Sequence, residues 1–203
     1  MIITTASFKG GVGKTTTAIH LAAYLQRLGA TALVDCDPNR SALMWAKCSE
    51  GMPFKVISEH QAIKEIKRYQ HIVIDTQARP DNEIMQELVD GCDLLILPTT
   101  PDALALRPVL QTAKLLQSLR SSHYKVLITR VPPPPQKEGD LAQEMLEEVG
   151  LPVFEARIRE FKAYQKAALL GKLVNNVGDR KGGIGWSDYV ALGKEILDGK
   201  AEL

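Results

Sequence analysis

A glycine-rich octapeptide, Lys9-Gly10-Gly11-Val12-Gly13-Lys14-Thr15-Thr16, stands between an apolar strand-like run, Ile2 to Phe8, and a stretch of helical period from about Lys14 to Leu28. Between a strand and a helix, such a loop converges backbone amides and a helix N-terminus on one point, an arrangement that binds phosphate. The glycines let the chain curl around phosphates without obstruction, Lys14 neutralises charge near the β and γ positions, and the Thr15 hydroxyl is available to Mg2+. The strict pattern G-x-x-x-x-G-K-[ST] requires glycine at position 8, where Phe8 stands, so Lys9 and Gly10 define a variant form. ATP with Mg2+ is the expected ligand pair, held by Lys9, Gly10, Gly11, Val12, Gly13, Lys14, Thr15 and Thr16.

Further strand-like runs cover Thr31 to Asp35, His71 to Asp75, Asp93 to Leu97 and Tyr124 to Thr129. They alternate with helical segments at Ser41 to Ser49, His60 to Tyr69, Asp81 to Val89, Asp102 to Leu119, Leu141 to Val149, Glu160 to Leu170 and Ser187 to Leu197. This alternation predicts an α/β fold of the P-loop NTPase type, a mostly parallel twisted sheet with helices on both faces. The first helix should turn Ile19, Ala22, Ala23 and Leu25 inward and end on a left-handed Gly29. Pro132 to Pro135, without amide donors and with fixed φ, reads as a stiff surface loop. At 203 residues, with no linker or repeat, the chain reads as one domain over residues 1–203.

The net charge of +1 gives no global attraction to nucleic acid or membrane. Cys36, Cys48 and Cys92 are scattered and odd in number, which fits neither a disulfide framework nor a C-x-x-C metal site and suggests a reducing cytosol. Two strands deliver carboxylates to the carboxyl edge of the sheet, where open α/β proteins bind ligands. One ends in Asp35-Cys36-Asp37-Pro38-Asn39; the other, His71-Ile72-Val73-Ile74-Asp75-Thr76, has the form of a buried strand ending in an Mg-holding aspartate. Residues 155 to 181 carry seven basic side chains against three acidic ones, and Arg159, Lys162 and Lys166, spaced i, i+3, i+7, would share one helix face able to neutralise DNA phosphates. An ordinary solvated helix face accounts for the same spacing.

KGGVGKTT, with the D-x-D-P-N segment and the Asp75 strand, resembles the deviant Walker A ATPases of the ParA/MinD superfamily, in particular the short ParA type. The resemblance spans Ile2 to Leu197. It implies that Lys9 reaches across a homodimer to the partner's nucleotide, sandwiching two ATP molecules, and that Lys9, Lys14 and Asp37 are catalytic, Asp37 by orienting the attacking water. It further implies that Thr15, Asp35 and Asp75 form the Mg2+ site, with Asp35 supporting the metal and the switch geometry. Family members of this type bind DNA nonspecifically when ATP-loaded and are released when a cargo-bound ParB-like or adaptor protein stimulates hydrolysis. Their cargo includes plasmids, chromosome origins, chemosensory clusters and carboxysomes, and the implied location is cytoplasmic and nucleoid-associated. Two departures stand out: Gln77-Ala78-Arg79-Pro80 follows Asp75-Thr76, and Thr129-Arg130 stands where many relatives have Asn beside adenine.

Other branches leave marks that this sequence lacks. It has neither the cluster cysteines of the iron–sulfur relatives nor a basic amphipathic membrane helix after Leu197, and it begins its first strand at residue 2, so no membrane partner and no operator-reading domain are expected. A metabolic ATP-dependent ligase or synthetase with the same kind of loop is the alternative; it requires a small-molecule pocket. A dinucleotide-binding oxidoreductase leaves Lys14 unexplained and has Thr16 where a third glycine belongs.

Overall fold

The computed structural model describes residues 1–48, 51–102, 105–106, 108–110, 116 and 123–199. Six strands form one sheet: β1 (Ile2–Ser7), β2 (Thr31–Asp35), β3 (Lys55–Ser58), β4 (His71–Ala78), β5 (Leu94–Thr99) and β6 (Tyr124–Ile128). Their order is β3-β2-β4-β1-β5-β6 and every pairing is parallel. Among the described residues the α-helices with both ends given are α1 (Lys14–Leu25), α2 (Ser41–Lys47), α3 (Glu59–Glu65), α4 (Asn82–Asp90), α5 (Glu138–Glu148), α6 (Lys162–Leu170) and α7 (Arg180–Asp198).

Strand alternation sends side chains to two cores. Ile3, Leu33, Val73, Ile96 and Leu127 point to one face, where α1, α2, α6 and α7 cover them. Ala6, Leu95, Leu97, Val126 and Ile128 point to the other, under α4 and α5, while α3 packs over Ala32, Val34, Ile57 and Ile72. Ile19, Ala22, Ala23 and Leu25 of α1 are all buried, as their spacing predicts. Each fully buried Leu or Ile contributes about 1.5–3 kcal/mol of transfer free energy, so α1 is tightly fixed to the sheet, and with it the glycine-rich loop.

Several boundaries differ from the sequence reading. The β3 edge strand escapes it because only four residues are involved, with Lys55 exposed and pairing on β2 alone. β4 continues three residues past Asp75, since β1 shifts register between Thr5 and Ser7 and then pairs Ser7 with Ala78. β5 runs through Pro98: the Leu95 amide bonds toward β6, so alternation turns position 98 toward β1, whose pairing stops at Ile96. Gly29 is not left-handed, and α1 ends earlier, on Gln26. A Cβ there would meet the tip of the exposed Gln70 side chain at 1.9 Å, a flexible group that can swing aside. α7 starts at Arg180 rather than Ser187, capped by Asp179, which accepts the Lys181 amide. Gly182, ahead of the expected helix start, serves packing, since a Cβ there would lie 2.2 Å from the Val174 carbonyl oxygen. The Pro132–Pro135 run is the expected surface loop, and most of the expected Asp102 to Leu119 helix lies outside the described residues. Among the described residues no helix is long and apolar enough to cross a membrane.

Candidate functional site

The loop emerges from β1 at the carboxyl edge and enters α1 through Gly13, whose φ of 82° is left-handed, as is that of Gly11 at 79°. An L side chain resists that conformation, so glycine at both positions follows from the path of the turn. Gly13 brings no capping side chain, and the first turn of α1 has no acidic residue. The helix N-terminus therefore keeps its amides and positive dipole end for an anion. Thr129, at the end of β6, secures the loop from behind: its hydroxyl lies 2.7 Å from the Val12 carbonyl oxygen and 3.0 Å from that of Thr99.

Strand register carries the carboxylates to the same place, with Asp35 directly beside Asp75. Lys14, 8% exposed, sets its Nζ 2.8 Å from Asp75 Oδ1 and 3.4 Å from Asp37 Oδ2, and also donates to the Thr76 carbonyl. Asp75 is fully buried, and among the described residues no donor reaches its Oδ2 in good hydrogen-bond geometry. Burial pushes its carboxyl above the usual carboxylate range, while the Lys14 ammonium and the Thr15 hydroxyl pull the other way. Asp37 is held by its own turn, accepting the Asn39 amide at 2.9 Å. Asp35 differs from both. Its two oxygens accept the Asp37 amide at 3.1 Å and the Leu43 amide at 2.9 Å, so it braces the Asp37 turn and the start of α2 and has no oxygen turned to the cleft unpartnered.

Lys9, 38% exposed at its side chain, lies on the rim, its Nζ 3.0 Å from Asp102 Oδ1. Asp102 also accepts from the Thr100 hydroxyl and from the Ala105 amide at 3.0 Å. The Thr100 bond, ahead of the Lys9 charge, holds the Asp102 carboxyl below its ordinary value. Across the rim, Arg130 donates to Glu160 Oε1 and to the Gly11 carbonyl at 3.3 Å. Arg40, Arg79 and Arg130 all have positive φ (52°, 59° and 51°); Arg79 and Arg130 follow the ends of β4 and β6, and Arg40 caps the start of α2. Such backbone costs about 1–2 kcal/mol per residue and gathers at functional sites. The cleft in front of the loop, about 1360 Å3, runs from the glycines past Asp37 to Arg130, Ile158 and α6.

The DNA-face expectation is corrected at one residue. Arg159 is not on a helix face with Lys162 and Lys166, because α6 begins at Lys162 after an extended Phe161. Its guanidinium is committed to Asp188 of α7, with Nε 3.1 Å from both carboxylate oxygens. Arg157 is likewise paired, with Asp140. Lys162, Lys166, Lys172, Arg180 and Lys181 are exposed.

Two positions that shape the surroundings of the loop escaped the sequence reading. Asp102 could have been found as an aspartate capping the turn after a strand end. His20 had no local signal. It is fully buried, stacked on Tyr189 at 4.8 Å and edge-on to Trp45 and Tyr164, with Nδ1 2.7 Å from the Thr16 carbonyl oxygen and Nε2 accepting the Val174 amide at 3.0 Å. Burial lowers its pKa to about 4, so the ring is neutral and ties the helix of the glycine-rich loop to the C-terminal third.

The profile of the CobQ/CobB/MinD/ParA nucleotide binding domain matches residues 3–174. The chain belongs to this family. Maintenance of carboxysome distribution protein A from Gloeobacter kilaueensis is 34% identical over 201 residues, covering 96% of this chain and 93% of that protein. An ATP complex of a McdA variant from Cyanothece superposes with a TM-score of 0.73 at 17% identity, covering 95% of this chain and 96% of that one. MinD from Pyrococcus horikoshii, complexed with Mg-ADP, gives 0.72 at 19%, covering 96% and 95%. The protein is thus a nucleotide-binding, ParA-type chain of the partition and carboxysome-distribution ATPase family.

Proposed function

We propose that this protein is a positioning ATPase that closes as an ATP-sandwiched homodimer, binds DNA nonspecifically in that state and lets go when a cargo-bound adaptor stimulates hydrolysis. The observation that carries this reading is the division of labour between the two lysines of the loop. Lys14 is buried on Asp75 and Asp37, whereas the Lys9 amine stands on the rim, directed away from that cluster. A cation on the rim is placed to serve a nucleotide in a facing subunit, where it would stabilise charge developing as the γ-phosphoryl leaves. Similarity to the carboxysome-distribution protein makes a protein organelle the first cargo to test.

The residues fit ATP and Mg2+. The glycine loop and α1 N-terminus offer amides, Lys14 supplies a buried cation at the loop to offset phosphate charge, and the unpartnered Oδ2 of Asp75 beside the Thr15 hydroxyl suits a hard cation that takes few protein ligands plus phosphate. Bound there, Mg2+ would neutralise phosphate charge. Asp37 would orient the attacking water, and Asp35, its oxygens engaged by amides, would hold the Asp37 turn in register rather than touch the metal. Lys162 and Lys166, with Lys172, Arg180 and Lys181, supply a DNA-facing surface that doubles on dimerisation, turning weak monomer affinity into useful avidity.

The test is DNA binding by the hydrolysis-impaired Asp37→Ala protein with ATP–Mg2+ against ADP, over a salt series. Tight, salt-sensitive binding in ATP alone is expected. ATP-dependent dimers that ignore DNA would remove the nucleoid step, and ATP consumption driven by a small acid or amine rather than by DNA with an adaptor would move the protein among the metabolic ligases.

A further inference from the structure

Lys9 is not free in the monomer. Its ammonium is paired 3.0 Å from Asp102, and Asp102 is itself fixed, one oxygen taking the Thr100 hydroxyl and the other the Ala105 amide. The carboxylate is therefore a rigid post capping the turn after β5, and the long lysine side chain comes to it. Both partners line a small cavity of about 300 Å3 at the loop rim, with Gly10, Gly11, Arg130 and Glu160. Their side chains are 38% and 50% exposed, so the pair is weak enough to open.

We infer that Asp102 is a positioning residue that parks Lys9 on its own subunit, so that the amine becomes available to a facing nucleotide only when this ion pair opens. The inference rests on the proposed role of Lys9 across the dimer. A binding-competent state populated in fraction f weakens apparent association by that fraction, and a symmetric dimer needs both lysines released, so the effect enters twice. An exposed pair biases a side chain by up to about fivefold, which makes the penalty on dimerisation as much as about 25-fold. Such a latch keeps stray monomers apart at low concentration and opens more readily as salt screens it.

Asp102→Asn separates this role from a structural one. Asparagine caps a helical turn as well as aspartate: its Oδ1 can keep accepting the Ala105 amide and its Nδ2–H can donate to the Thr100 hydroxyl oxygen, while the charge that attracts Lys9 is lost. Two measurements are decisive. In the nucleotide-free monomer, amine acetylation read by peptide mass spectrometry should label Lys9 several-fold faster in Asp102→Asn than in the parent, with Lys166 as internal reference and the melting temperature unchanged. With ATP–Mg2+ in the Asp37→Ala background, sedimentation should show dimers forming at protein concentrations lower by about 4- to 25-fold. Unchanged Lys9 labelling, or an unchanged dimerisation midpoint in a parent that does dimerise, overturns the latch while leaving the dimer reading intact. A parent that stays monomeric with ATP–Mg2+ overturns both.

Discussion

The floor and the rim of the glycine-rich loop use the same chemistry in opposite settings. On the floor, Lys14 meets Asp75 and Asp37 largely shielded from water, its side chain 8% exposed. On the rim, Lys9 meets Asp102 and Arg130 meets Glu160 with every partner between 38% and 53% exposed. Burial makes the floor expensive to disturb, because removing one partner strands the others in low dielectric. Exposure makes the rim cheap to rearrange, because solvent replaces the partner. Fixed charges suit a site that must hold nucleotide in one geometry. Exchangeable ones suit groups that change partners, as the proposed dimer asks of Lys9.

Breaking each side should produce opposite phenotypes. Lys9→Ala should leave folding stability within about 0.5 kcal/mol of wild type while lowering adaptor-stimulated ATP turnover by about 10³-fold, the scale of a lost trans cation. Turnover assays paired with urea unfolding check both halves, and comparable losses in each would erase the distinction. Lys14→Ala should instead destabilise the nucleotide-free fold by about 3–5 kcal/mol, since two buried carboxylates lose their counter-charge; urea unfolding without nucleotide reads this directly.

Acid titration sharpens the contrast within the buried half. His20 has its folded pKa depressed to about 4, so its contribution is present above the unfolded value of 6.5 and is lost as pH falls from there toward 4. That loss amounts to roughly 3 kcal/mol, and a His20→Gln variant, which cannot charge, should show a flatter stability profile over the same window. Asp75 works the other way: its raised folded pKa makes the native state take up a proton before the unfolded chain does, adding stability as pH falls through the interval between them. The smallest effect belongs to the C-terminal surface. Lys162→Ala with Lys166→Ala should reduce the slope of log affinity for DNA against log salt by roughly 2 to 4, depending on whether one or both subunits contact the strand. Arg159→Ala should instead lower stability, because it leaves the buried Asp188 unpaired.

Much of this was legible in the chain. The loop, the strand ends bearing Asp35, Asp37 and Asp75, and the inward face of α1 follow from local pattern, because glycine spacing and hydrophobic period are local properties. What was not legible depends on partners far along the chain. β3 exists because β2 offers it an edge, and what comes close to Gly29 is the Gln70 side chain rather than a left-handed turn of its own backbone. Asp35 and Asp37 look alike in sequence, yet backbone amides from the turn and from α2 occupy both oxygens of the first. The i, i+3, i+7 spacing that placed Arg159 with Lys162 and Lys166 presumed a helix reaching back to Arg159, whereas the one that forms starts at Lys162. His20 lies among rings contributed by three other helices, and no window of sequence contains them together.

The most direct test of the fixed floor and exchangeable rim is the solution mass of Asp37→Ala with ATP–Mg2+, measured by sedimentation alongside the same protein carrying Lys9→Ala. A nucleotide-dependent dimer in the first and a folded, nucleotide-bound monomer in the second is the expected result. Dimers of equal strength in both would contradict the account, since the rim lysine would then have no part in joining the subunits.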